Sequence, residues 1–299
     1  MTSPLSGARY DLVLGDYAAS IASVGASLRT LTFQGRDLVV PFDADEIRPV
    51  FRGATLAPWP NRIVGGVYSF GGADHELALT EPERGNALHG LVGWTSFALV
   101  TQGDDFVVLG TTIEAQAGYP FRLDLEVEYR LTESGLYQSV TATNTGVDAA
   151  PFGTGPHPYL VAGDGSVDDW TLHLPAELVL TVRPDTLAPI VTVSVDDTDF
   201  DFRSPKIIGD TFIDHAFSGV TASRVEVTAP SGTGVALEWD AACPWVQVHT
   251  ADRPAPEPSR RGLAVEPMTC PPDAFNSGTD LIVIEPGAST SAGWTISAL

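Results

Sequence analysis

Hydrophobic and polar residues alternate along much of this chain. The clearest stretch is FRLDLEVEYRLT, where Phe121, Leu123, Leu125, Val127, Tyr129 and Leu131 alternate with Arg122, Asp124, Glu126, Glu128 and Arg130. A period of two predicts a strand with one side in a core and the other in water. RVEVTAP and GVALEWD repeat the pattern, with 29 Gly and 23 Pro spread between such segments as turn punctuation. No amphipathic stretch long enough for a substantial helix interrupts them. The expected fold is therefore all-β, with antiparallel sheets packed face to face as a large sandwich or barrel. All-β folds of this length can form one unit, so residues 1–299 are expected to be a single domain. The Pro-rich DRPAPEPSRRG segment (252–262) predicts a surface connection, because β patterning resumes directly after it.

Composition narrows the partners. Sixteen Lys+Arg against 38 Asp+Glu give a formal charge of −22, which repels nucleic acid and anionic membrane surfaces. Lys206 is the only lysine, and neither its position nor its neighbours recommend it as a Schiff-base or phosphate-binding group. The opening MTSPLSGARYDLVLG lacks the basic start and apolar run of a secretory signal, and no apolar run is long enough to cross a bilayer. Two isolated cysteines, Cys243 and Cys270, suit a reducing compartment better than a disulfide framework. A cytoplasmic protein, monomeric or homodimeric, is expected.

Signatures for nucleotide phosphates, nucleophilic serine and zinc-dependent hydrolysis are missing. His75, in HELAL, lacks the second histidine of a metalloprotease and reads as a surface residue. His89, His157, His173, His215 and His249 show no metal-ligand spacing, so neither a metal nor another cofactor is expected. The chemistry must come from scattered polar residues. APWPNRI carries Asn61 and Arg62; GNALHGLVGW carries His89 and Trp94; FGTGPHPYL holds His157 between two prolines; FIDHAF carries Asp214; GLAVEPMTCPPDAFNSG carries Glu266. Polar groups beside Gly, Pro or aromatic residues furnish sugar clefts, with donors and acceptors for hydroxyls and flat rings such as Trp94 for C–H faces. Each residue also has a plain structural reading. Arg62 could close a surface ion pair, His89 could be a satisfied core histidine, Asp214 could cap a turn, and Glu266 could pair with Arg260 or Arg261.

Taken in order, Asn61-Arg62, His89-Gly90, Gly155-Pro156-His157-Pro158-Tyr159, Asp214 and Glu266-Pro267 resemble the aldose 1-epimerase (galactose mutarotase-like) family, over almost the whole chain. The resemblance implies a single large antiparallel β-supersandwich with a sugar in an open cleft and no cofactor. It implies Glu266 as general base, His157 as general acid and His89 assisting at the ring oxygen. It further implies that Arg62, His89, Asp214 and Gln247, in PWVQVHT, contact sugar hydroxyls; Asn61, from the same motif as Arg62, and Trp94, as a flat ring beside His89, are expected to complete the substrate site. Acid and base are what anomer exchange needs: one proton leaves the anomeric hydroxyl and one reaches the ring oxygen, which opens the C1–O5 bond. Glu266 is accordingly expected to be desolvated and more basic than usual, and His157 to be held cationic by acidic surroundings. Departures from the commonest family pattern fall at Leu91-Val92-Gly93-Trp94, His249, Ala251 and Met268, and bear on the sugar more than on the reaction. The competing readings are an epimerase for a phosphorylated or sulfonated hexose, a glycoside hydrolase using Asp214 and Glu266, and a sugar-binding protein without turnover.

Overall fold

The computed structural model describes residues 4–255 and 257–299; Met1 to Ser3 of the opening segment and Pro256 of the 252–262 segment lie outside them. The architecture is almost entirely strand. Regular helix among the described residues is one α-turn at Ala274–Ser277 and two three-residue 3-10 turns. Every pairing between named strands among the described residues is antiparallel, as the alternating pattern predicts; a single isolated bridge, between Ala57 and Gly90, is parallel.

Two large sheets carry the fold. The first has nine strands in the order Ala98–Gln102, Phe106–Ile113, Leu123–Thr132, Gly135–Asn144, Ser289–Ala298, Gly234–Trp239, Arg224–Thr228, Thr171–His173 and Lys206–Ile207. In Leu123–Thr132 the five apolar positions are buried and the five between them are not, so the period of two read from the sequence is the period of burial. The second sheet has six strands, in the order Tyr159–Leu160, Leu263–Met268, Trp245–His249, Asp214–Val220, Ala176–Val182 and Pro189–Ser194. A smaller four-stranded sheet is built from Arg9–Leu14, Tyr17–Ala22, Ser27–Phe33 and Arg36–Asp37.

One continuous buried cluster takes side chains from all three sheets, among them Leu31, Val127, Trp294, Val246 and Val265. Trp294 is 1% exposed, and its indole Nε1 donates to Gln138 Oε1 (2.9 Å) in the adjoining strand, so burial leaves its polar atom satisfied. Strand Leu263–Met268 departs from alternation, since all six residues are buried. Val265 packs into the core, while Glu266 faces the opposite side of the sheet, where a cleft rather than open water receives it.

Candidate active site

The cleft floor follows from strand register. Gln247 lies directly opposite Glu266, and His249 directly opposite Asp214. Side chains two residues apart share a face, so these four point together, away from core residues Val246, Val248 and Val265. Gln247 Nε2 donates to Asp214 Oδ1 at 2.6 Å across the diagonal between the two strands.

Loops supply the walls. Strand Arg62–Val64 pairs with Asn86–Leu88, and the His89 amide donates to Asn61 O (2.8 Å), which ties the two polar segments to each other. Asn61 (φ 54°) and His89 (φ 62°) both take left-handed backbone conformations. Gly90 (φ +74°) follows them so closely against the chain that a Cβ there would stand 2.1 Å from Ala57 O. His157 is fixed on both sides: its amide donates to Ala54 O (3.0 Å), its carbonyl accepts from the Gly53 amide (2.8 Å), and prolines flank it. Its ring stacks on Tyr159 (centroids 5.0 Å apart, 19° between planes) and meets His89 edge-on (5.0 Å, 75°).

The result is a cleft of about 500 Å³, within the range that holds small organic ligands. Asn61, Arg62, His89, His157, Asp214, Gln247 and Glu266 all line it. His157 Nε2 stands 3.4 Å from Glu266 Oε1, and both side chains are almost wholly buried. Glu266 Oε2, His157 Nδ1, His89 Nδ1 and Gln247 Oε1 are buried without a hydrogen-bond partner. Four such atoms in one cleft carry an unpaid desolvation cost that a hydroxyl-rich ligand would relieve.

Burial pushes the Glu266 carboxyl well above the usual carboxylate range; neighbouring Asp214 adds to this and Arg62 opposes it. The expected gain in basicity is therefore present. The expected cationic His157 is not. Burial, reinforced by His249, Arg48 and Arg62, takes its imidazole down to about 3, because the lost water no longer stabilises the cation. His89 is pushed well below its ordinary value, first by burial and then by His157. Burial thus favours a protonated Glu266 beside a neutral His157 over the ion pair. That state holds one proton, the same number as Glu266 carboxylate beside His157 imidazolium, and the two differ only in where the proton sits.

Arg62 is a buried residue of the cleft and not a surface ion-pair partner. Its Nε and Nη2 donate to Glu81 Oε2 and Oε1 (2.8 and 2.9 Å), Nη1 donates to Asn61 Oδ1 (3.3 Å), and Nη2 lies 3.8 Å from Asp214 Oδ2. Glu266 pairs with neither Arg260 nor Arg261; Arg260 is engaged by Asp168 and Asp252. Trp94 is not brought to the cleft. It is 55% exposed outside the cleft, with Arg48 over its ring at 4.5 Å, and Phe51 lies between it and His89. His75 is only partly exposed and rests against Tyr68 and Phe121. Asp252, Arg253, Pro254 and Glu257, expected in a plain surface connection, line the cleft mouth. Arg84 lines the cleft too, and so does Glu81, which was missed, since nothing in TEPERGN separates one acidic residue from the other 37.

Comparison with known proteins bears on the family and the fold. A family model described as Aldose 1-epimerase matches residues 10–297. The Escherichia coli K12 protein YihR, itself uncharacterized, is 39% identical over 287 residues, covering 94% of this chain and 90% of its own. An aldose 1-epimerase of Haemophilus influenzae is 28% identical over 254 residues, 76% of this chain and 73% of its own. The crystal structure of a GalM/aldose epimerase homologue from Caenorhabditis elegans superposes with a TM-score of 0.86 at 21% identity, over 98% of this chain and 99% of that one. With the matched region spanning all but the chain's ends and a galactose mutarotase-like fold around the cleft, this chain belongs to the aldose 1-epimerase family.

Proposed function

We propose that the protein interconverts the α and β anomers of an aldohexose by acid–base ring opening and reclosure. The observation that carries this reading is the buried Glu266–His157 pair, 3.4 Å apart, among unpartnered polar atoms in the cleft. The anomeric oxygen and ring oxygen are both bonded to C1, so one acid and one base serving them must stand close together. Glu266 takes the proton from the anomeric hydroxyl while His157 delivers one to the ring oxygen, and the C1–O5 bond opens to the aldehyde. After rotation about C1–C2 the transfers reverse and the ring closes on the other face. Opening leaves a protonated Glu266 and a neutral His157, which is the state that burial favours. Each group supplies roughly 10²–10⁴-fold. Sugar hydroxyls donating to Glu266 Oε2 favour its carboxylate and so return the pair to its starting form.

The lining supports an uncharged sugar over a phosphorylated or sulfonated one. The carboxylates Glu81, Glu83, Asp214, Asp252, Glu257 and Glu266 face only three guanidiniums, and Arg62, Arg84 and Arg253 are each within ion-pair distance of one of these carboxylates. Polarimetry of freshly dissolved α-glucose, α-galactose, a hexose 6-phosphate and a sulfonated hexose tests both points. Faster approach to anomeric equilibrium with a neutral sugar supports the reading. Acceleration of the anionic sugars alone reverses the substrate class, and tight binding without acceleration of any sugar overturns the activity.

A further inference from the structure

We infer that Glu81 is the positioning residue of the sugar site: it holds Arg62 in the orientation that presents the guanidinium to the sugar instead of to Asp214. The inference rests on the anomer-exchange reading and assigns a role to a residue outside its acid–base pair.

Glu81 is 4% exposed, and its carboxylate is fully engaged. Oε1 accepts from Arg62 Nη2 (2.9 Å) and Arg84 Nη1 (3.0 Å); Oε2 accepts from Arg62 Nε (2.8 Å) and Asn86 Nδ2 (2.9 Å). A carboxylate has about four lone-pair positions, so Glu81 has none left for a sugar hydroxyl although it borders the cleft. It acts through Arg62. The two-point contact sets the plane of the guanidinium, leaving the remaining N–H bonds of Nη1 and Nη2 for the side where Asn61, Asp214 and Glu266 stand.

Two consequences follow for the acid–base pair. Asp214 Oδ2 is 3.8 Å from Arg62 Nη2, a separation that a freed guanidinium closes by a small rotation, which would take Asp214 out of sugar binding. Glu81 also neutralises Arg62, whose positive charge acts directly on Glu266. Burial pushes the Glu81 carboxyl up, but its bonds to Arg62, Asn86 and Arg84 hold it below the ordinary range, so it remains an anion there. The support is itself anchored: Asn86 Nδ2 also donates to Thr186 O (2.9 Å), joining this corner of the cleft to a distant turn.

The test is a double-mutant cycle with Glu81→Gln, Arg62→Ala and the pair together, followed by polarimetry on the sugar that the wild type turns over fastest. Loss of charge-assisted hydrogen bonds predicts a raised KM and a kcat/KM lower by about ten- to hundredfold for Glu81→Gln. The double variant should lie within about twofold of Arg62→Ala, because removing the mediator removes the effect. The uncompensated Arg62 charge favours loss of the pair's proton, so the alkaline limb of the pH profile moves to lower pH in Glu81→Gln. Glu81→Asp, which keeps the charge, should return that limb toward the wild type. Additive losses in the cycle, or an unchanged KM and limb, overturn the inference. If Glu81→Gln does not fold, Arg84→Ala removes a half-exposed donor to Glu81 and should raise KM in the same direction by less; an unchanged KM again overturns it. Should the wild type turn over no sugar, the activity reading falls, and the same cycle read as galactose affinity by calorimetry decides the coupling separately.

Discussion

Replacing Glu266 by Gln separates chemistry from stability, because the two should move in opposite directions. Glutamine has nearly the same shape and keeps an oxygen near His157, but it accepts no proton. Loss of the base predicts a fall in kcat of roughly 10²–10⁴-fold, about 2.7–5.4 kcal/mol of transition-state stabilisation. The effect on folding has the other sign. Burial raises the Glu266 carboxyl above 4.5, its ordinary value in the unfolded chain. A group whose folded value is raised contributes its stability below the unfolded value and loses it as pH rises toward the folded one. Each tenfold difference in proton affinity is worth about 1.4 kcal/mol. The variant should therefore match the wild type in Tm near pH 4 and exceed it progressively as pH rises toward 7. Polarimetry gives the first quantity and calorimetric unfolding over that pH range the second. A variant retaining a tenth or more of the wild-type rate would refute Glu266 as the base, and one equally destabilised at every pH would refute the account of its burial.

Other outcomes follow from the same geometry. Because the one-proton pair is the working form, kcat/KM should fall on the alkaline side as Glu266 loses its proton, with no loss on the acid side until near the His157 value of about 3; a rate flat throughout the protein's stable range would contradict this. Trp94→Ala should leave kcat and KM within about twofold of wild type, since the ring lies outside the cleft; a tenfold rise in KM would restore it to the sugar site. Gly155→Ala would place a Cβ 2.6 Å from the carbonyl oxygen of Pro267, the residue after Glu266, and should cost about 1–3 kcal/mol by chemical denaturation together with a fall in kcat. Val265→Ala empties core volume behind the strand that carries Glu266 and should cost about 1–3 kcal/mol with the acid–base chemistry retained; unfolding and polarimetry on one preparation check both.

Much of this was legible in the chain. Strands show in the alternation of Leu123, Leu125, Val127, Tyr129 and Leu131, because a sheet with one wet face imposes its period on the sequence directly. The stiffness of His157 shows in its two prolines, and the ordered motifs around Asn61, His89, His157, Asp214 and Glu266 carried the family. Even so, Trp94 was drawn into the site by adjacency: it stands five residues after His89, but Phe51, distant in sequence, lies between their rings. Glu81 was invisible for the complementary reason, as it sits 19 residues from Arg62 and becomes its partner only when strand Arg62–Val64 pairs with Asn86–Leu88.

By itself the sequence determined the class of fold and the inventory of groups available for proton transfer, since both follow from local pattern and residue identity. Tertiary structure decided which groups meet and in which direction burial shifts their proton affinities. Register put Gln247 across from Glu266 and His249 across from Asp214, and packing closed His157 to 3.4 Å from the carboxylate. It also removed the water that favours the charged forms of both His157 and Glu266. A residue's charge depends on the dielectric around it, and that environment is assembled from strands and loops far apart in the chain.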